Sequence, residues 1–286
     1  MLKDNPRGNY GIDQYRPPLC FELAGREYTF VMDDGMDYVL RFLDGKTAEW
    51  HLENGEPKQE GYECLKADDT TYLVFFEIDG AEKRTGHTFV IDLENMLVTR
   101  IIAVNGENPK DPYLNNTYIE FGAILKPDGS VTFKRHSYTD EMIGTCMQWC
   151  YGSFSTVHIY YCSNFYRITY PRDGSQDPAI SEGMDSLVRQ LPSSDEPASY
   201  IKIKENMYLL NITERNMEKL LGAGGLFRSN TMCFLQNYDR LYLVGRAFGN
   251  VTQDGVDSEI RLSFGAYGKF TEVPEGFFSD PNPYIV

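Results

Sequence analysis

The chain is poor in basic residues, histidine and tryptophan: 27 Lys plus Arg stand against 42 Asp plus Glu, with four His and two Trp in 286 residues. A formal charge of −15 repels phosphate backbones and anionic lipid headgroups. No segregated basic patch relieves that repulsion, so neither nucleic acid nor a membrane is expected as a partner. No run approaches the ~18 consecutive apolar residues of a membrane span. The opening MLKDNPRGNYGIDQYRPP lacks the apolar core of a signal peptide, and the expected location is cytoplasmic. Also missing are CxxC, GxSxG, HExxH and GxGxxG, which leaves zinc-protease, serine-hydrolase and dinucleotide readings unsupported. Gly222 to Gly225 (GAGG) lacks the Gly-Lys-Ser/Thr ending of a phosphate loop and reads as a turn.

Six cysteines in a chain this long do not make a disulfide framework, and reduced thiols are expected. On a strand, Cys146 and Cys150 share a face at ~13 Å, taking ~3.3 Å per residue. That is too far for a disulfide or a single metal ion. No metal and no cofactor is expected.

What the sequence has in quantity is Phe and Tyr, 17 and 20 of them, and a 42% hydrophobic fraction that rules out disorder. These residues fall in short alternating runs separated by Gly, Asp and Asn. Tyr28–Met32, Tyr38–Leu43 and Thr47–Leu52 are joined by DDG and Asp44-Gly45, and further runs follow at Gly61–Leu65, Thr71–Ile78, His87–Asp92 and Val98–Val104. Hairpin after hairpin describes an antiparallel meander, most readily closed as a barrel because closure removes exposed edges. Helical spacing is scarce: Ile180–Gln190 carries it, and Ile212–Leu221 mixes strand-like MYLLNITE with RNMEKLL.

The meander occurs twice. Leu23–Phe30 is echoed by Met142–Trp149, Tyr38–Leu52 by Val157–Tyr170, Tyr62–Ile78 by Tyr200–Glu214, and His87–Gly106 by Thr231–Asn250, where Arg100 and Arg246 are read as equivalent. The fold class is therefore all-β, two tandem antiparallel barrels with little helix. The expected domains are an arm (1–19), a first barrel (20–133) and a second barrel (134–286). The second carries an insertion (171–199) and a Pro-rich tail laid over the surface.

Several of these segments resemble a known family. HSYTDEMIG (His136 to Gly144), Trp149-Cys150-Tyr151, VHIYY (Val157 to Tyr161), NMYLLNITE and VGRAFG (Val244 to Gly249) are similar to the C-terminal domain of the molybdenum-cofactor-biosynthesis protein F-like (MoaF) family. LAGREYTFVMDDGMDYVLRFLDGKTAEW and YECLKADDTTYLVFFEI resemble its N-terminal domain. The resemblance implies two lipocalin-like (calycin) barrels. It leaves function open between ligand carriers and cofactor-free phenolic acid decarboxylases, both of which use related barrels, and regulatory or assembly proteins linked to molybdenum-enzyme genes.

In a small barrel, alternate residues face inward, so polar groups on an otherwise apolar face mark a candidate site. His158 shares a face with Tyr160, Glu214 with Tyr208, and Arg246 with Tyr242. If all three faces point inward, they form one polar cluster at a barrel mouth. There Arg246 would clamp an anionic group, while Tyr160, Tyr208, Tyr242 and Trp149 contact an aromatic ligand and His158 and Glu214 move a proton. The expected partner is a small organic, aromatic ligand or substrate, and the enzymatic version is a cofactor-independent lyase or isomerase. A homodimer is compatible with the sequence. His136, beside Thr139, Asp140 and Glu141, reads as a pin for the inter-domain connection.

Overall fold

A computed structural model of the chain describes residues 12–53, 55–152, 155–170, 193–216, 227–253, 256–273 and 277. Barrel 1 is an up-and-down meander of eight strands: β1 (Glu27–Met32), β2 (Tyr38–Phe42), β3 (Thr47–Leu52), β4 (Lys58–Lys66), β5 (Thr71–Glu77), β6 (Thr85–Asp92), β7 (Leu97–Asn105) and β8 (Asn115–Ile124). It closes where β1 pairs with β8, Phe30 opposite Ile124. Barrel 2 repeats the plan with β10 (Thr145–Cys150), β11 (Ser155–Cys162), β12 (Phe165–Thr169), β13 (Ser194–Lys204), β14 (Met207–Glu214), β15 (Phe227–Asn237), β16 (Tyr242–Gln253) and β17 (Val256–Phe270). Its ring closes through β10–β17 and β12–β13, and the short β9 (Ser137–Tyr138) adds onto β13.

The matched blocks of the sequence repeat fall on matched strands, and their turns agree in detail. The β6–β7 and β15–β16 hairpins each end on a left-handed non-glycine residue, Met96 (φ 57°) and Leu241 (φ 45°). Each has its carbonyl satisfied by the last strand of its own barrel, Ile124 N–H at 2.9 Å and Gly268 N–H at 2.7 Å. A left-handed L-residue costs about 1–2 kcal/mol, so its recurrence at the same point marks one turn design used twice.

Alternation fills each interior. Phe30, Tyr38, Leu40, Phe42, Phe76 and Phe89 pack inside barrel 1, each wholly buried. Full burial of such a side chain is worth about 1.5–3 kcal/mol. Met147, Trp149, Tyr160, Tyr166, Leu210, Phe234 and Phe264 do the same in barrel 2. A third cluster lies between the barrels, where Leu73, Phe75, Val90 and Ile101 of barrel 1 meet Ile201, Leu209, Leu235 and Val244 of barrel 2. Strands at this seam are consequently apolar on both faces; β5 is buried from Thr71 through Phe76. Arg84 crosses the seam, donating to Gly249 O at 2.7 Å and Ile260 O at 3.0 Å while gripping Glu77. His136 is buried and pins the linker to barrel 1, its Nδ1 2.8 Å from Thr99 Oγ1 and its Nε2 3.8 Å from Asp92.

The strand β13 begins at Ser194, inside the stretch read from sequence as an insertion. The Ile180–Gln190 segment lies outside the described residues. Of Ile212–Leu221, residues 212–214 complete β14, only Asn216 is helical among those described, and 217–221 lie outside them. Val273 and Phe277 of the tail pack on Cys146, Val157 and Ile159, outside barrel 2. No helix among the described residues is long and apolar enough to cross a membrane.

Candidate functional site

The inward face of barrel 2 carries a belt of residues, one per strand. Strand register sets Tyr160 opposite Tyr166, Tyr166 opposite Glu196, Glu214 opposite Asn230, and Asn230 opposite Gly249. Extending the Ala198–Ile212 pairing by two residues places Glu196 opposite Glu214. Five polar side chains thus run side by side around the wall, four of them on the adjacent strands β12 to β15.

Glu214 is the unusual member. Burial, and then the neighbouring charge of Glu196, push its carboxyl up to about 8, with the Asn230 amide opposing at 3.5 Å. At neutral pH this is mainly a protonated acid, able to donate a hydrogen bond or a proton. Glu196 differs, since one of its oxygens accepts the backbone N–H of Arg215 and of Asn216, both at 2.8 Å. Two carboxyl groups in different environments thus stand on one wall.

Around them hydrogen-bonding capacity goes unused. Tyr166 OH, Ser194 Oγ and Asn230 Oδ1 are buried without a partner, although their residues are at most 2% exposed. An unmet buried polar atom costs roughly 1–3 kcal/mol. Three of them stand on the same wall as the neutral carboxyl of Glu214. Burial, followed by the charge of Glu214, also raises the phenols of Tyr166 and Tyr170.

His158 faces the same interior one layer away. Its Nε2 lies 3.0 Å from Thr156 Oγ1, and its ring is 5.1 Å from that of Tyr166 and 5.4 Å from Phe234. Burial lowers its pKa to about 3, so it is a neutral imidazole, a hydrogen-bonding group rather than a cation or an effective base near pH 7. Tyr166 stands between His158 and Glu214, in ring contact with the first and within the field of the second. Trp149 is wholly buried, its Nε1 donating to Tyr160 OH at 3.3 Å, and Tyr160 donates onward to Gln236 at 3.1 Å.

His158, Glu214, Tyr160 and Trp149 thus share the interior of barrel 2. Tyr208 also faces inward, but at the opposite end, six residues from Glu214 along β14, where it donates to Glu141 at 2.8 Å. Arg246 and Tyr242 do not face inward. Their strand presents Leu243, Gly245 and Ala247 to the interior, and Val244 and Arg246 to the seam. Arg246 Nη1 donates to His87 O at 3.0 Å and Thr88 Oγ1 at 2.8 Å of barrel 1, and its guanidinium lies over Phe75 and Phe248. The expected anion clamp is therefore an inter-barrel contact. The inward face was misread because its two glycines present no side chain to the pattern. A Cβ on Gly245 would come 2.1 Å from Phe264 Cε2, and one on Gly249 2.2 Å from Asn230 Oδ1; the facing side chains fill that space.

Glu196, Ser194, Tyr166 and Asn230 were missed. The alternation Ser194, Glu196, Ala198, Tyr200 was present, but Pro197 and the polar LPSSDEP run read as loop. Pro197 has no N–H to donate, and the β13–β14 pairing begins just after it, at Ala198.

Residues 9–107 match the family model described as the MoaF N-terminal domain. No curated protein matches the chain.

Proposed function

We propose that this MoaF-like, two-barrel chain binds a small, uncharged, planar organic molecule inside barrel 2, at the Glu214 end. An eight-stranded barrel has an interior just wide enough for side chains or one small ligand. The observation that carries the reading is the belt Tyr166–Glu196–Glu214–Asn230, with a carboxyl held neutral near pH 7 and three unmet hydrogen-bonding atoms on or beside it. Among the described residues the only buried arginines are Arg100 and Arg246, and Arg246 lies outside the barrel. The site therefore favours a neutral ligand over a carboxylate. Protonated Glu214 and the Tyr166 hydroxyl supply donors, Asn230 Oδ1 an acceptor, and Tyr151 and Tyr166, both within the field of Glu214, the flat apolar walls. A phenol or an aromatic carbonyl compound has this chemistry.

The same arrangement supports proton transfer to a conjugated substrate. Glu214 donates as the general acid and the Tyr166 hydroxyl orients the acceptor by hydrogen bonding, while His158, held between Thr156 Oγ1 and Tyr160 OH, positions the Tyr166 ring. This is the lyase or isomerase version. The carrier version needs the same pocket without turnover and is favoured by the dense Trp149–Tyr160–Gln236 hydrogen-bond chain, which holds the interior fixed.

The two tryptophans separate the barrels experimentally: Trp149 lies inside barrel 2, and Trp50 packs against the core of barrel 1. In Trp50→Phe protein, 4-hydroxybenzaldehyde is expected to change Trp149 fluorescence saturably, and Glu214→Gln to weaken the response. No saturable change, together with no small molecule released on denaturing the purified protein, would overturn the proposal.

A further inference from the structure

The described part of the arm ahead of barrel 1, residues 12–20, is tied down at both ends. At its start, Ile12 joins the interior cluster of barrel 2, and Gln14 lies against Gly152 in the β10–β11 turn. Midway, Tyr15 O accepts from Tyr242 OH at 2.5 Å, and Arg16 donates to Ser263 at 2.8 Å. At its finish, Cys20 N–H donates to Cys64 O of β4 at 2.8 Å. Both cysteines belong to the core cluster of barrel 1, Cys64 Sγ lies 4.0 Å from Leu65 O, and each thiol is the largest influence on the other's acidity. A backbone hydrogen bond of this kind keeps two Cα atoms within about 5–6 Å. That falls inside the roughly 4.4–6.8 Å that a disulfide spans.

We propose that Cys20 and Cys64 form a dithiol–disulfide pair that exchanges with low-molecular-weight disulfides and, when oxidised, fastens the arm covalently to barrel 1. The pair differs from the other four cysteines in having a thiol partner in hand. The hydrogen bond from Cys64 is the main influence that lowers the Cys20 thiol to about 6, with burial opposing; the same contact and burial raise Cys64. Cys20 is therefore the attacking thiolate and Cys64 the resolving thiol. The Cys20 thiolate attacks one sulfur of glutathione disulfide and releases one glutathione thiolate. Cys64 gives its proton to that thiolate and attacks the Cys20 sulfur, expelling the second glutathione. Two thiols lose two electrons and two protons, and one glutathione disulfide becomes two glutathiones. The inference stands independently of what barrel 2 binds.

The test treats the folded full-length protein with glutathione disulfide, blocks remaining thiols with N-ethylmaleimide, and maps the digest by mass spectrometry. The expected result is a cross-linked Cys20–Cys64 peptide, with Cys146, Cys150, Cys162 and Cys233 alkylated. In Cys64→Ser protein, glutathione should stay on Cys20. Amide exchange across residues 13–19 should slow in the oxidised protein. Both cysteines alkylated after treatment, or a glutathionylated Cys20 that persists while Cys64 is present, would overturn the pairing. A cross-link that leaves exchange of the arm unchanged would overturn the fastening.

Discussion

Arg100 and Arg246, read from the sequence repeat as equivalent, lie one register step apart in the structure. Arg100 pairs with Phe89 across β6–β7, whereas Arg246 pairs with Cys233 across β15–β16, and the counterpart of Phe89 is Phe234, which pairs with Gly245. The matched hairpins fix this equivalence, since Asp92–Leu97 and Asn237–Tyr242 are the last pairs before each four-residue turn. A single step reverses the face. Arg100 therefore projects into barrel 1, over Tyr38 and onto Glu120, while Arg246 projects out of barrel 2 into the seam.

Arg246→Met should accordingly leave binding in barrel 2 unchanged while altering global stability through the seam. Calorimetric titration of any ligand found for barrel 2 checks this. A large affinity loss in the correctly folded variant would return Arg246 to the site.

Glu214 ties the site to pH. Its folded pKa of about 8 lies above its ordinary value of 4.5, so the folded state holds a proton that the unfolded chain releases. Stability is then present below about pH 4.5 and lost progressively up to about pH 8. Glu214→Gln removes that dependence, and its stability relative to the native protein should rise by about 3 kcal/mol between pH 5 and pH 8. Urea unfolding at several pH values measures this, and parallel profiles would show an ordinary carboxylate.

The buried imidazoles act in the opposite direction. Burial lowers His158 to about 3, and burial followed by the charges of Arg100 and Arg246 lowers His87 to about 3. Both stay neutral in the fold, and their stabilisation is complete above pH 6.5 and lost as pH falls toward 3. Each costs about 2 kcal/mol between pH 6.5 and pH 4.5. Ring-carbon NMR shifts should hold their neutral values down to pH 4.5, and a midpoint near 6.5 for either residue would contradict their burial.

Gly245→Ala places a methyl group 2.1 Å from Phe264 Cε2, with an expected cost of about 2–3 kcal/mol. Adding Phe264→Leu should recover part of it. Thermal melts of the single and double variants decide, and additive losses would mean that the ring is not what fills the missing side chain's place.

Much of the fold could be read from the sequence because alternation and turn chemistry are local. Tyr38–Leu52 declares a hairpin, and its echo at Val157–Tyr170 declares a second one. The site was harder. His158 and Glu214 were visible as polar residues on apolar faces, but Arg246 was assigned to the wrong side because Val244 and Phe248 make its face look like a core face. They are buried by the other barrel, a tertiary contact that no local pattern encodes. Glu196 was hidden by Pro197, and its place beside Tyr166 depends on ring closure through β12–β13. Cys20 and Cys64, far apart in sequence, meet only because the arm folds back along β4.

The central claim, that barrel 2 receives a neutral aromatic molecule beside Glu214, is tested most directly through methionine methyl groups. Met147 and Met232 lie in the interior of barrel 2, and Met32 in that of barrel 1. Titrating methyl-labelled protein with 4-hydroxybenzaldehyde at pH 6.5 should shift Met147 and Met232 saturably and leave Met32 unmoved, with weaker binding in Glu214→Gln. Shifts confined to Met32, or interior methyls that stay fixed to saturating concentration, would contradict the account.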